Sequence, residues 1–482
     1  MNSPEDTAAT AVEAGPILFV RDFHSARLHL TALAVIPADR GAPTLTGGDD
    51  EVTPETLMHR DGRAVLAYRF SLPARADTGY RFGGTWYDVN AALDGDIRLA
   101  YVSCNGQEAG DRARELGERN RLWQRLARAH AERPFQLLLH GGDQLYADEM
   151  LDEHPALTAW ADGRRGSLAP GEGEAVTEAL RAFLFTRYLE IFSHSGPARL
   201  MARVPSLAMW DDHDICDGWG SLPAAMLDDP VGRRVFAVAR EMFLCFQLGT
   251  TDAALPPICR DPAGDTLTWA LTLPGLRLIA PDLRSERRPD RVMGEPGWAA
   301  FRGALADTGD DRVMVLSSVP ALGPRLSWVE ALLHLVPRMQ KYEDDLRDQW
   351  QSRAHREEWR RFLGALVAAS ERGGTPVTVL SGEIHLATRA TLDTATGSLH
   401  QLVASGIAHP PPPRTYAAAL GALARTGEAP LPDHPIRLHP LPGRRGIYTA
   451  ERNYLVLERL AGRWRAWWEL ENQGPTPALA LS

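Results

Sequence analysis

A chain of 482 residues, 44% hydrophobic and 24% charged, describes a globular protein too long for one ordinary domain. The net charge of −10 argues against a broad nucleic-acid-binding surface, so no stable nucleic-acid complex is expected. Four cysteines without a C-x-x-C pair argue against a disulfide framework. No apolar run approaches the ~18–20 residues needed to cross a bilayer, so membrane insertion is not expected. The N-terminal residues show no basic segment followed by an apolar one and no twin arginine, which gives a cytoplasmic location as the expectation.

In chain order, residues 1–14 read as a flexible leader. Residues 15–95 read as a small N-terminal all-β domain, sandwich-like. Its strand candidates are Arg27–Ile36, Ala64–Leu72 and Tyr80–Val89, broken by Pro, Gly and Asp. From residue 96 to 482 apolar strand runs alternate with helical patterns. The predicted strands are Ile97–Ser103, Phe135–His140, Val204–Trp210, Leu276–Ala280, Val313–Val319, Val377–Leu380 and Leu399–Ala404. The predicted helices are Asp111–Arg133, Glu174–Ser193, Val231–Leu248 and Arg353–Ser370. Such alternation implies a layered α/β region with function at the strand ends. Pro410–Pro413 and the Pro-rich segment 430–442 read as loops able to cover a site. Asn453–Leu460 and Trp464–Leu470 read as a hairpin turning at Ala461-Gly462.

Four of the strand runs end in metal-ligand chemistry. One leads to Ser103-Cys104-Asn105. A second leads to His140-Gly141-Gly142-Asp143, with Tyr146 following. A third leads to Trp210-Asp211-Asp212-His213-Asp214, and a fourth to Ser381-Gly382-Glu383-Ile384-His385. Three carboxylates around one imidazole repel one another, and a cation relieves that repulsion. Taken singly, each element has an ordinary explanation as a turn, a cap or core packing. Four such junctions in one α/β pattern point to a metal-dependent hydrolytic centre.

The ordered set Ser103-Cys104, Gly142-Asp143-x-x-Tyr146, Trp210-Asp211-Asp212-His213-Asp214 and Ser381-Gly382-Glu383-Ile384-His385 resembles PhoD-type metallophosphatases of the calcineurin-like metallophosphoesterase superfamily. Asp282-Leu283-Arg284 resembles the family's Asp-x-Arg segment. The resemblance spans residues 96–410. It implies a layered β-sandwich flanked by helices, with the small all-β domain ahead of it. It also implies at least two metal ions, Fe(III) plus Ca(II), with Mn, Mg or Zn compatible. By position, Cys104 and Tyr146 would bind a ferric ion and Asp143 would bridge to a second metal. Asp212 or Asp217, together with Glu383 and His385, would complete the site. His213 would be the general acid, Asp214 its orienter, and Arg284 a phosphate-binding group or else a salt-bridge partner of Asp282 or Glu286. The chain departs from the family in having Gly382-Glu383-Ile384-His385 where Gly-Asp-x-His is usual. It also lacks a visible export signal.

Two metals can clamp attacking and leaving oxygens and lower the pKa of bound water from ~15.7 towards ~7. The expected reaction is in-line attack by a metal-bound hydroxide on a phosphate ester or phosphodiester, with His213 protonating the leaving group. Two alternatives compete: a dedicated phospholipase D-like phosphodiesterase on the same centre, and a non-enzymatic metal-binding interaction protein. His409, at another strand end, is read as lining the site mouth or as structural.

Overall fold

A computed structural model describes residues 12–48, 50–106, 109–164, 168–307, 311–324, 348–425 and 427–481. Most of the expected leader lies outside the described residues. No helix among the described residues is long and apolar enough to cross a membrane.

Two sheets face each other. The larger has 11 strands, and its centre is Asn453–Leu460, Ile97–Val102, Leu137–Gly141, Ser206–Met209 and Ala14–His24, in that spatial order. The smaller has 8 strands, with Leu276–Ala280, Arg312–Ser317, Val377–Ser381 and Gly397–Val403 at its middle. Successive side chains of a strand point to opposite faces, and the sequence uses that period of two. Leu137 and Leu139 enter the core between the sheets, while Leu138 enters the core under the outer helices. In the second sheet Leu278, Met314 and Leu380 face inward, while Ile279, Val315 and Val379 face helices on the other side. Near-continuous apolar runs are what strands buried on both faces require. The result is a four-layer helix–sheet–sheet–helix α/β architecture.

The helices Arg121–Glu132, Glu172–Ser193 and Pro230–Leu248 cover the first sheet, and Glu295–Ala306 and Arg356–Glu371 cover the second. Pro230–Leu248 shows how local chemistry sets such limits. The Asp229 side chain accepts the Val231 N–H at 2.8 Å, Pro230 opens the helix, and Gly249 at φ +61° closes it.

Several expectations change. The 15–95 segment is all-β, as expected, and supplies a separate 4-stranded sheet, but Ala14–His24 runs parallel beside Ser206–Met209, so the segment also extends the large sheet. The helix predicted over Asp111–Arg133 is three pieces, Ala109–Arg112, Leu116–Arg119 and Arg121–Glu132. Only the last has an apolar face to bury, formed by Leu122, Trp123 and Leu126. The Pro-rich 430–442 segment is a hairpin, not a loop. Glu428–Leu431 and His434–His439 form the edge of the second sheet, where a missing proline N–H is tolerated. The C-terminal hairpin turns at Ala461 and Gly462, both at positive φ.

Candidate metal centre

Leu137–Gly141 pairs in parallel with Ile97–Val102 on one side and Ser206–Met209 on the other. Their C-terminal ends therefore open on one edge, which carries Cys104, Asp143 and the Asp211–Asp214 turn. Val377–Ser381 brings Glu383 and His385 from the opposing sheet. The approach is close. A Cβ on Gly382 would lie 2.3 Å from Ser103 Oγ, and one on Gly142 would lie 2.7 Å from Asp211 Cβ. Only glycine fits at either place.

Four residues at these strand ends hold left-handed backbone: Cys104 at φ +51°, Asp143 at +55°, Glu383 at +63° and His385 at +51°. The other non-glycine cases are Ser25, Ala26, Asp61 and Ala461, each of which directly follows or precedes a strand in a hairpin. Such conformations cost roughly 1–3 kcal/mol each and persist where the surroundings enforce them.

Ligand atoms of Cys104, Asp143 and His385 lie within 4.8 Å of one another. So do those of Asp143, Asp211 and Asp212, and those of Asp212, His213 and Asp217. Asp143 is common to the first two groups. Its Oδ2 lies 3.4 Å from Cys104 Sγ, and the Tyr146 hydroxyl lies 3.0 Å from His385 Nε2. Asp143 Oδ1 and Asp211 Oδ2 are buried with no hydrogen-bond partner. Buried polar atoms are rarely left so, and a cation would satisfy both. The donors therefore fit a metal centre with Asp143 between two ions. Glu383 stands apart from these groups: both its oxygens accept from Gln349 Nε2, at 2.7 Å each. Asp217 is exposed at the margin, beside Asp212 and His213.

Burial first, and then the neighbouring Asp211 and Asp212 carboxylates, push the Asp143 carboxyl well above its ordinary range. Burial likewise pushes the Cys104 thiol up and the His385 imidazole down. His213 behaves oppositely. Burial lowers it, but Asp148 and Asp212 outweigh burial and hold it well above the usual imidazole value. Its Nδ1 pairs with Asp148 Oδ2 at 2.7 Å, and its ring stacks on Tyr146 at 4.3 Å. His409 stacks on His385 at 3.6 Å.

Two expected roles fall to other residues. Arg284 is not available to a phosphate. It is 0% exposed, and every N–H of its guanidinium is taken. Nε donates to Asp211, Nη1 to Trp219 O and Asp348, and Nη2 to Asp212 and Asp348. Its salt-bridge partners are thus neither Asp282 nor Glu286. Asp214 does not orient His213. Its carboxylate accepts the backbone N–H groups of Asp143, Leu145 and Asp211 and the Gln247 amide, which ties two ligand turns together. Asp148 holds the imidazole instead. Sequence reasoning assigned no role to Asp148, Asp348 or Gln349. The one signal for Asp148 was its place two residues after Tyr146.

An uncharacterized protein of Saccharomyces cerevisiae is 24% identical over 380 residues, which is 66% of this chain and 53% of the relative. The chain thus spans about half the length of the curated relative it matches. The solved structure of PhoD superposes with a TM-score of 0.57 at 11% identity, covering 96% of this chain and 88% of that one. That likeness is one of fold. The family described as PhoD related phosphatase matches residues 79–343. The span contains Cys104, Asp143, Tyr146 and the Asp211–Asp214 turn, and by it the chain belongs to the PhoD related phosphatase family.

Proposed function

We propose that this chain is a metal-dependent phosphoric ester hydrolase acting on phosphodiesters, phosphomonoesters or both. The observation that carries the reading is Asp143: buried, shared between two groups of ligand atoms, and left with an unpartnered oxygen. Cys104, Asp143, Tyr146 and His385 would hold one ion, and thiolate with phenolate favours iron there. Asp143, Asp211 and Asp212 would hold the other through oxygen alone, which suits calcium, manganese or magnesium. When bound, such a pair supplies Lewis-acid stabilisation of charge on the phosphoryl oxygens.

The chain's own groups do the rest. His213, kept protonated by Asp148, gives a proton from its imidazole to the leaving alkoxide. Asp148 fixes the ring by binding Nδ1, which leaves Nε2 to donate. Arg284 neutralises and aligns Asp211 and Asp212, so the oxygen side is formed in advance. Glu383, held by Gln349, would be a reserve carboxylate. A cytoplasmic site of action belongs to the same proposal.

The test combines elemental analysis with hydrolysis of bis-nitrophenyl and mono-nitrophenyl phosphate. We expect two ions per chain, loss of activity on chelation, and a fall of more than ~100-fold in Asp143→Asn, since even outer partners of ligands cost ~10–100-fold. A wild-type rate in Asp143→Asn would sink the reading. Bound metal with no hydrolysis of either ester would favour the metal-binding interaction protein. Rates confined to the diester would favour the dedicated phosphodiesterase.

A further inference from the structure

A cleft of about 390 Å³ lies between the helix Arg414–Ala424 and the segment Arg444–Ala450. One face of that helix lines it through Arg414, Ala417, Ala418, Gly421 and Ala422, with Arg425 just beyond. This is helical spacing, and the small side chains are what leave the space open. Arg444 and Arg445 face the helix from the other wall. Four arginines thus surround one cleft on a chain whose net charge is −10.

Local stability does not account for Arg414 or Arg445. Arg414 is the first residue of its helix, where a cation opposes the helix dipole. Arg414 and Arg445 are exposed and make no ion pair among the described residues. Arg444 donates to the Gln473 side chain, but its Nε is buried without a partner. The cleft's one carboxylate, Glu451, accepts the Asn472 N–H at 3.0 Å and the N–H of Gln473, another lining residue, at 3.3 Å. The cleft wall is tied to the strand that follows His385. Ala387, two residues after His385, exchanges backbone hydrogen bonds with Thr449 of the cleft wall at 3.0 and 2.9 Å, and Leu386 shares a hydrophobic cluster with Ile447 and Tyr448. Thr388 Oγ1 also donates to Ile447 O at 2.8 Å.

We infer that this cleft is a second anion site, which takes a multiply charged phosphate group. Guanidinium forks match phosphate oxygens bidentately, and the volume admits more than a lone phosphate. The anion is either free or the remote phosphate of the ester being hydrolysed. The second source rests on the hydrolase reading, whereas binding itself does not.

The test is calorimetric binding of tripolyphosphate to the full chain: wild type, Arg414→Gln/Arg445→Gln, and Asp143→Asn. We expect the arginine variant to lose at least about tenfold in affinity, as charge-assisted contacts are removed, and Asp143→Asn to retain the cleft's binding. Both arginines are exposed, so the melting temperature should not move. Ala418→Glu, on the same exposed face, puts a carboxylate into the cleft and should weaken binding independently. Unchanged affinity in both cleft variants overturns the inference. So does a loss confined to Asp143→Asn, which would seat the anion on the metal centre. A KM comparison then separates the two sources. A rise in the arginine variant only for an ester bearing a second phosphate supports a substrate subsite. Unchanged KM for both esters, with weakened tripolyphosphate binding, supports a free anion. Loss of all hydrolysis with retained tripolyphosphate binding would fail the hydrolase reading and leave the cleft standing.

Discussion

On one side of Asp143 stand Cys104, Tyr146 and His385, and on the other stand Asp211 and Asp212. On the first side Cys104 Sγ accepts from Ser405 Oγ at 3.1 Å, and the Tyr146 hydroxyl lies beside His385 Nε2. The thiol is pushed towards the protonated form and the imidazole towards the neutral one, both by burial. The second side is held by a cation, although burial still pushes the Asp211 carboxyl up to about 6. Arg284 clasps Asp211, Asp212 and Asp348 together, and Ser318 Oγ donates to Asp211 at 2.8 Å. The thiol side keeps itself neutral until a cation displaces its protons, because metal ligands must be deprotonated. The carboxylate side borrows a guanidinium. One centre thus contains two solutions to the problem of burying ligands without their ion.

Arg284→Met attacks the second solution directly and should have the largest effect. It would strand three buried carboxylates, and breaking a buried pair costs about 3–5 kcal/mol. Urea denaturation of metal-free protein measures this. Unchanged stability with a raised KM would instead return Arg284 to substrate binding. His213→Ala probes the junction of the two sides. The expected loss is ~10²–10⁴-fold for esters with poor leaving groups and much less for good ones. Equal loss for both would remove the general-acid role.

Asp148→Asn should act more gently, through pH. A general acid works while protonated, so activity falls as pH rises through its pKa. Asp148 raises that pKa, and removing it should move the alkaline limb of the kcat profile to lower pH. An unmoved limb would show that another group donates the proton. Smallest of all should be Ser405→Ala on the thiol side. Ser405 Oγ donates to Cys104 Sγ at 3.1 Å and accepts the His385 N–H at 2.9 Å. Losing these neutral bonds should cost about 1–2 kcal/mol. A cost matching that of Arg284→Met would erase the contrast between the sides.

The sequence made the strand ends readable because burial on both faces demands long apolar runs, and those runs stop where polar ligands begin. Cys104, Asp143, Tyr146 and Asp212 stand at such stops. The hydrogen-bonding around them was not readable. Asp348 meets Arg284 across 64 residues of chain, and Gln349 meets Glu383 across 34. No local pattern marks either pairing. Asp214 sat beside His213 in sequence and looked like its partner, yet its carboxylate turns towards backbone N–H groups. Asp148, 65 residues away, takes that place. Proline misled in the 430–442 stretch, since its turn signal does not distinguish a loop from a strand at a sheet edge. The continuity of the N-terminal strands with the large sheet was also hidden, because alternation does not say which strand pairs with which.

The left-handed backbone at Cys104, Asp143, Glu383 and His385 has a practical corollary for engineering. Glycine is the residue those conformations favour, so a search for thermostable variants would tend to replace these four side chains first. Each replacement would relieve about 1–2 kcal/mol of local penalty while deleting a candidate ligand. Selection for heat resistance alone should therefore erode this centre. A variant library screened for both traits would map the trade-off position by position.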